Sequence, residues 1–127
     1  MKQITLTKPD DWHLHLRDGA LMSDVVGMSA RQMGRAVVMP NLLPPVKTVK
    51  QAIAYRKKII DSLPTGSTFN PLMTLYLTDV TTQQNIVDAG NEEDVCAVKL
   101  YPSGVTTNSD NGVTSIKNTY PVIEQMQ

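Results

Sequence analysis

Residues 10–19 read DDWHLHLRDG and hold both histidines of the chain, His13 and His15, with Arg17 two places further on. If this segment is a strand, positions i and i+2 point to the same side. His13, His15 and Arg17 then share one face, while Trp12, Leu14 and Leu16 share the other and are expected to pack against helices. Two imidazoles on one strand face can converge on a single cation, at Zn–N distances of about 2.0–2.1 Å. Taken alone the motif is weak, because a bare His-x-His is more often a surface or hydrogen-bonded pair than a metal site.

Lys99 strengthens it. In CAVKLYP, alternation puts Ala97, Lys99 and Tyr101 on one face and Cys96, Val98 and Leu100 on the face expected to meet helices. An enclosed lysine is costly as a cation, so its pKa falls below its usual ~10.4. The neutral amine is a nucleophile that can form a Schiff base or take up CO2 as a carbamate. A carbamate is anionic and has two oxygens, which suits it to bridging two metal ions. The alternative is a lysine that snorkels to water at a strand end. Asn41 follows VVMP at the C-terminal end of a second strand-like run, the edge at which parallel α/β sheets bind ligands. It also suits a turn. Thr106 and Thr107 lie in the polar stretch PSGVTTNSDNG after the Lys99 run, which fits a lid or an ordinary surface loop. Cys96 and the seven methionines are expected to be packing residues.

The elements that must position these side chains alternate along the chain. Strand signals cover 11–17, 35–40, 69–77 and 95–101. Between the first two, Leu21, Val25 and Met28, with Met22, Val26 and Met33, recur at helical spacing, and Gly34 is placed as a stop. A second helix is expected over 48–63 from Val49, Ile53, Arg56, Ile60 and Leu63, with Thr48 and Gln51 matching a capping box. A third opens at Thr78 or Asp79 and closes at Gly90, and a last helical piece covers 114–127. This alternation predicts βαβ units and a parallel sheet. Four such units make either a small open α/β domain or half of an eight-stranded barrel, which needs roughly 250 residues.

Composition narrows the class. The 127 residues are 41% hydrophobic and 19% charged, as a folded domain is. Lys+Arg and Asp+Glu are both 12, so there is no electrostatic case for nucleic acid or an anionic membrane. The basic run YRKKII at 55–60 reads as the wet face of a helix. One cysteine allows no internal disulfide, and the start lacks an apolar leader segment, so a cytoplasmic protein is expected.

WHLHLRDG, VVMPNL and VKLYPSGVTTNS, in this order, resemble dihydroorotases of the short, single-domain type within the amidohydrolase superfamily. The resemblance runs through essentially the whole chain. Hydantoinases and dihydropyrimidinases, related cyclic amidases, usually carry an extra β-domain before the motif, for which there is no room. The resemblance implies the N-terminal four βα units of a TIM (β/α)8 barrel, as part of a single metal-dependent hydrolase domain. It implies that His13 and His15 bind the more buried of two zinc ions. It makes Lys99 the carbamylated bridge between them, Arg17 and Asn41 the holders of the substrate carboxylate, and Thr106 and Thr107 part of a loop that closes over substrate. The implied reaction is the reversible conversion of N-carbamoyl-L-aspartate to (S)-dihydroorotate in pyrimidine biosynthesis, with metal-bound hydroxide attacking the ring amide. The complete enzyme is expected to be a homodimer. Two further histidines and a proton-shuttling aspartate of the family pattern have no counterpart before Gln127. The chain is therefore expected to be an N-terminal portion, inactive by itself. A non-catalytic scaffold of the same fold, another cyclic amidase and a small α/β binding module are the competing readings.

Overall fold

The computed structural model describes residues 2–105 and 108–127. Strands β1 (Asp10–Leu14), β2 (Arg35–Val38), β3 (Asn70–Tyr76) and β4 (Val95–Lys99) alternate with helices α1 (Gly19–Gln32), α2 (Val49–Asp61) and α3 (Gln83–Gly90). A 3-10 turn at Ile116–Thr119 and a short helix α4 (Tyr120–Glu124) follow. Every neighbouring strand pair is parallel, and the spatial order is β1-β2-β3-β4. That order separates the two architectures left open by the sequence. A doubly wound sheet reverses direction at a switch point, whereas this one advances one way only, as barrel strands do.

The helices lie on one face. Ala36, Val38, Met73, Leu75 and Val95 of the strands share a core with Met22, Val26 and Ala30 of α1, Ala52, Tyr55 and Ile59 of α2, and Ala89 of α3. Val37, Met39, Leu72 and Thr74 alternate with these positions and line the opposite, concave face. Thr48 and Gln51 form the expected capping box, each side chain accepting from the other's backbone N–H. The buried stripe of α2 is turned by one position from the expected one. Ala52, Tyr55 and Ile59 face the core, while Ile60 is 40% exposed and Arg56 turns to Asn70 and Asp94. In α1 the stripe is Met22, Val26 and Ala30, with Leu21 and Met28 exposed.

Two register shifts correct the strand faces read from alternation. In β1, Asp11 pairs with Ala36 but Leu14 pairs with Val38, so one extra residue is inserted between them. The His13 N–H turns back to Asp11 Oδ1 at 2.9 Å. Trp12 thereby joins His13 on the concave face and is 74% exposed, not packed under helices. In β4, Met73 pairs with Val95 and Thr74 with Ala97, which leaves Cys96 as the extra residue. Cys96 is exposed rather than buried against helices, and Leu100 is 41% exposed. Val98 does pack against the core as expected.

Other departures are local. The first strand ends at Leu14, before His15, because Arg17 turns the chain through a left-handed conformation (φ 63°). Gly34 is not a left-handed stop; α1 ends into an extended Met33, and the Gly34 N–H and carbonyl bond to Pro9 and Asn70 instead. Thr82, in a second capping box with Asn85, opens α3, and Gly90 is its last residue. Asp79 is spent elsewhere, accepting from the Thr114 N–H and hydroxyl and from Asn118. With Thr114 drawn onto Asp79, helical structure over 114–127 is confined to the 3-10 turn and α4, where Pro121 sits in the first turn. The packing predicts that Ile59→Ala lowers the unfolding free energy of the intact protein by about 2–5 kcal/mol. Ile60→Ala should cost less than about 1 kcal/mol, both read by urea denaturation.

Candidate metal centre on the concave face

Three strand-to-strand steps of about 4.8 Å separate β1 from β4. Side chains from both nevertheless meet, so the sheet is curled. Lys99 Nζ lies 3.3 Å from His13 Nε2, and His13 Nε2 lies 3.2 Å from His15 Nε2. The bulge in β1 aims His13 into the concavity beside Trp12, and His15 follows where the chain leaves the ladder. Lys99 is the last residue of β4, paired with Tyr76 of β3. Its amine also sits 4.5 Å from the centre of the Tyr101 ring. Trp12, His13, Val37, Met39, Leu72, Thr74, Ala97 and Lys99 border a cavity of about 390 Å³ on this face.

The electrostatics favour uncharged donors. Burial, followed by the charges of Lys99, Arg17 and His13, pulls His15 down to about 4 from its ordinary value of 6.5. Burial also lowers Lys99. A neutral imidazole has a lone pair to give, and a lowered amine spends more of its time unprotonated and nucleophilic. Two nitrogens held tetrahedrally by one ion at about 2.0–2.1 Å stand roughly 3.3 Å apart. The Nε2 atoms of His13 and His15 already have that spacing, so the pair fits a zinc ion. Among the described residues no group of three or more His, Cys, Asp and Glu side chains gathers at one place. The other nitrogen close to the pair is the Lys99 amine, 3.3 Å from His13 Nε2.

Arg17 and Asn41 stand at the C-terminal edge of the same sheet. Arg17 is exposed and close enough for its charge to act on His15. Its left-handed backbone is pinned from α2, where the Tyr55 hydroxyl donates to the Arg17 carbonyl. Burial pushes the Tyr55 phenol up, so it stays a donor. Next to it Asp18 caps α1 through the Gly19 N–H and binds Lys58 of α2. Asn41 is 3% exposed, and its Oδ1 has no hydrogen-bond partner among the described residues. Thr106 and Thr107 lie outside the described residues. Sequence reasoning missed Tyr55, Tyr76 and Asn108, the polar groups that hold this edge. A hydroxyl within a helix's apolar stripe was the available signal for Tyr55; nothing in the sequence singled out Asn108.

No family model matches the chain. It is 58% identical over 126 residues to a dihydroorotase of Cupriavidus necator and 55% identical over 127 residues to one of Shewanella oneidensis. These alignments take in 99% and 100% of the chain, which spans about 37% of the length of each of those relatives. The backbone matches a crystal structure of dihydroorotase from Campylobacter jejuni with a TM-score of 0.84 and 37% identity, over 94% of this chain and 35% of that one. It matches dihydroorotase from Saccharomyces cerevisiae, solved in complex with 5-fluoroorotic acid, with a TM-score of 0.83 and 34% identity, over 93% and 32% of the two chains. By sequence and by backbone, these 127 residues are similar to dihydroorotases, over a little over a third of the length of those relatives.

Proposed function

We propose that this chain supplies the first four βα units of a (β/α)8 dihydroorotase, a zinc-dependent cyclic amide hydrolase. Its reaction interconverts N-carbamoyl-L-aspartate and (S)-dihydroorotate in pyrimidine synthesis. The observation that carries the reading is the meeting of Lys99 with the His13–His15 pair across the concave face, 3.3 Å and 3.2 Å apart in series. In this reading the two Nε2 atoms hold the more buried zinc. The Lys99 amine, by adding to CO2 and giving up a proton, would become an anionic carbamate, and with His13 and His15 it would hold the zinc. Zinc, when bound, supplies the positive charge that acidifies water and polarises an amide carbonyl.

The remaining work belongs to this chain's own side chains. Arg17 presents a planar guanidinium suited to a two-point grip on the substrate carboxylate. Its fixed turn, held by Tyr55, limits the freedom lost when substrate binds. Asn41 binds the same carboxylate from the segment that follows β2, and Thr106 and Thr107 are the further substrate contacts that the family likeness implies. The bound 5-fluoroorotic acid of the yeast relative, a ring acid, agrees with a carboxylate-reading edge. A cytoplasmic location and a homodimeric complete enzyme belong to the same proposal, on the family likeness and the lone cysteine. No helix among the described residues is long and apolar enough to cross a membrane.

Three outcomes test this reading on the intact protein. Lys99→Ala should cut dihydroorotate turnover by at least about a hundredfold, the upper end of what residues outside a ligand set cost. Added short carboxylic acids should restore part of it, and full activity without them would contradict the bridge. His13→Ala and His15→Ala should each lower the zinc retained after dialysis, measured by elemental analysis. In the metal-free protein the His15 ring should titrate near pH 4 by NMR. Because an unfolded histidine takes up its proton near 6.5, the native state then loses stability as pH falls from about 6.5 towards 4. A ring that titrates at its ordinary value would remove the argument for a preformed neutral donor.

A further inference from the structure

The carboxamide oxygen of Asn41 does not account for how the residue is seated. Asn41 is 97% buried beyond the end of β2, yet its Oδ1 has no hydrogen-bond partner among the described residues. A buried polar group left bare is costly, so other contacts must hold the residue in place. They come through its backbone. Asn108 Nδ2 donates to the Asn41 carbonyl at 3.3 Å, and the Tyr76 hydroxyl donates to the Asn108 carbonyl at 3.3 Å. Tyr76 is fully buried at the end of β3, and its N–H donates to Val46, five residues beyond Asn41, at 2.7 Å. The segments that follow β2 and β4 are thus tied to the end of β3 at one edge.

Asn108 has φ 57°, a left-handed conformation that costs most side chains energy and that asparagine tolerates. Glycine would satisfy the backbone at this position, but only a residue with a short donor side chain also reaches Asn41. We propose that Asn108, held by Tyr76, is a positioning residue that fixes Asn41 for its grip on the substrate carboxylate. This rests on the reading of Asn41 as a carboxylate ligand. Asn108 and Tyr76 act through Asn41 and the loop that carries it.

Asn108→Gly keeps the left-handed backbone and removes the carboxamide, while Tyr76→Phe removes a single hydroxyl. In the intact enzyme each should raise KM for dihydroorotate by about three- to tenfold, the worth of one hydrogen bond. Zinc content and kcat should stay close to those of the parent. On an Asn41→Ala background, Asn108→Gly should add no further KM effect. An unchanged KM in both variants, or an equal rise on the Asn41→Ala background, overturns the proposal. A second readout does not depend on turnover. Asn108→Gly should speed amide hydrogen exchange in residues 40–47 as well as in 108–114. Unchanged exchange over 40–47 overturns the proposal. Faster exchange there in a protein that does not turn over dihydroorotate supports the clasp and places the failure in the proposed activity.

Discussion

The structure depends on the curl that carries β4 round to face β1. A flat sheet in the order β1-β2-β3-β4 would hold Lys99 three strands away from the histidines, with no reason for the three side chains to interact. Curvature brings the amine within hydrogen-bond distance of His13. It also explains why α1, α2 and α3 share one core on the convex side, and why small and apolar residues such as Val37, Met39 and Ala97 line the other. The concave face is therefore a place where polar groups stand out against an apolar lining, the setting in which a lone pair is poorly hydrated and readily given to a ligand.

That setting has an energetic cost, and the neighbouring structure carries it. His15 is partly desolvated among three positively charged or chargeable groups, so it stays neutral. Arg17 is strained at φ 63°, and the buried Asn41 Oδ1 has no partner among the described residues. Each is held by a group from another βα unit: Tyr55 of α2 for Arg17, Asn108 after β4 for Asn41. Strain at a ligand-binding edge persists only where surrounding contacts over-determine it. The polar cross-links between loops supply those contacts here, while the apolar core beneath them sets the positions of the strands.

Much of this was legible in the sequence, for identifiable reasons. The order of strands and helices, the capping box at Thr48 and Gln51, and the placing of His13 and Lys99 on strands all follow from local periodicity and side-chain chemistry. What escaped was fixed by partners distant in the chain. Alternation within β1 could not show that pairing with β2 inserts a residue, which turns Trp12 to the concave face. The same holds for Cys96 against β3. Asp79 looks like a helix cap by composition, yet its carboxylate is taken by Thr114 and Asn118, leaving Thr82 to open α3. The stripe of α2 lies one position from the one expected because Ala52 and Tyr55 weigh less than isoleucine in a hydrophobic pattern, although both are buried.

The central claim is that two imidazoles and a modified amine share metal ions on the concave face. Diffraction at the zinc edge, from crystals of the intact protein grown with zinc and bicarbonate, tests it most directly. The account predicts an anomalous peak within about 2.0–2.2 Å of both Nε2 atoms, His13 and His15, with density for a carboxylate extending from Lys99 Nζ towards it. A zinc site that leaves either histidine unbound, or an unmodified Lys99 directed into solvent, would contradict it.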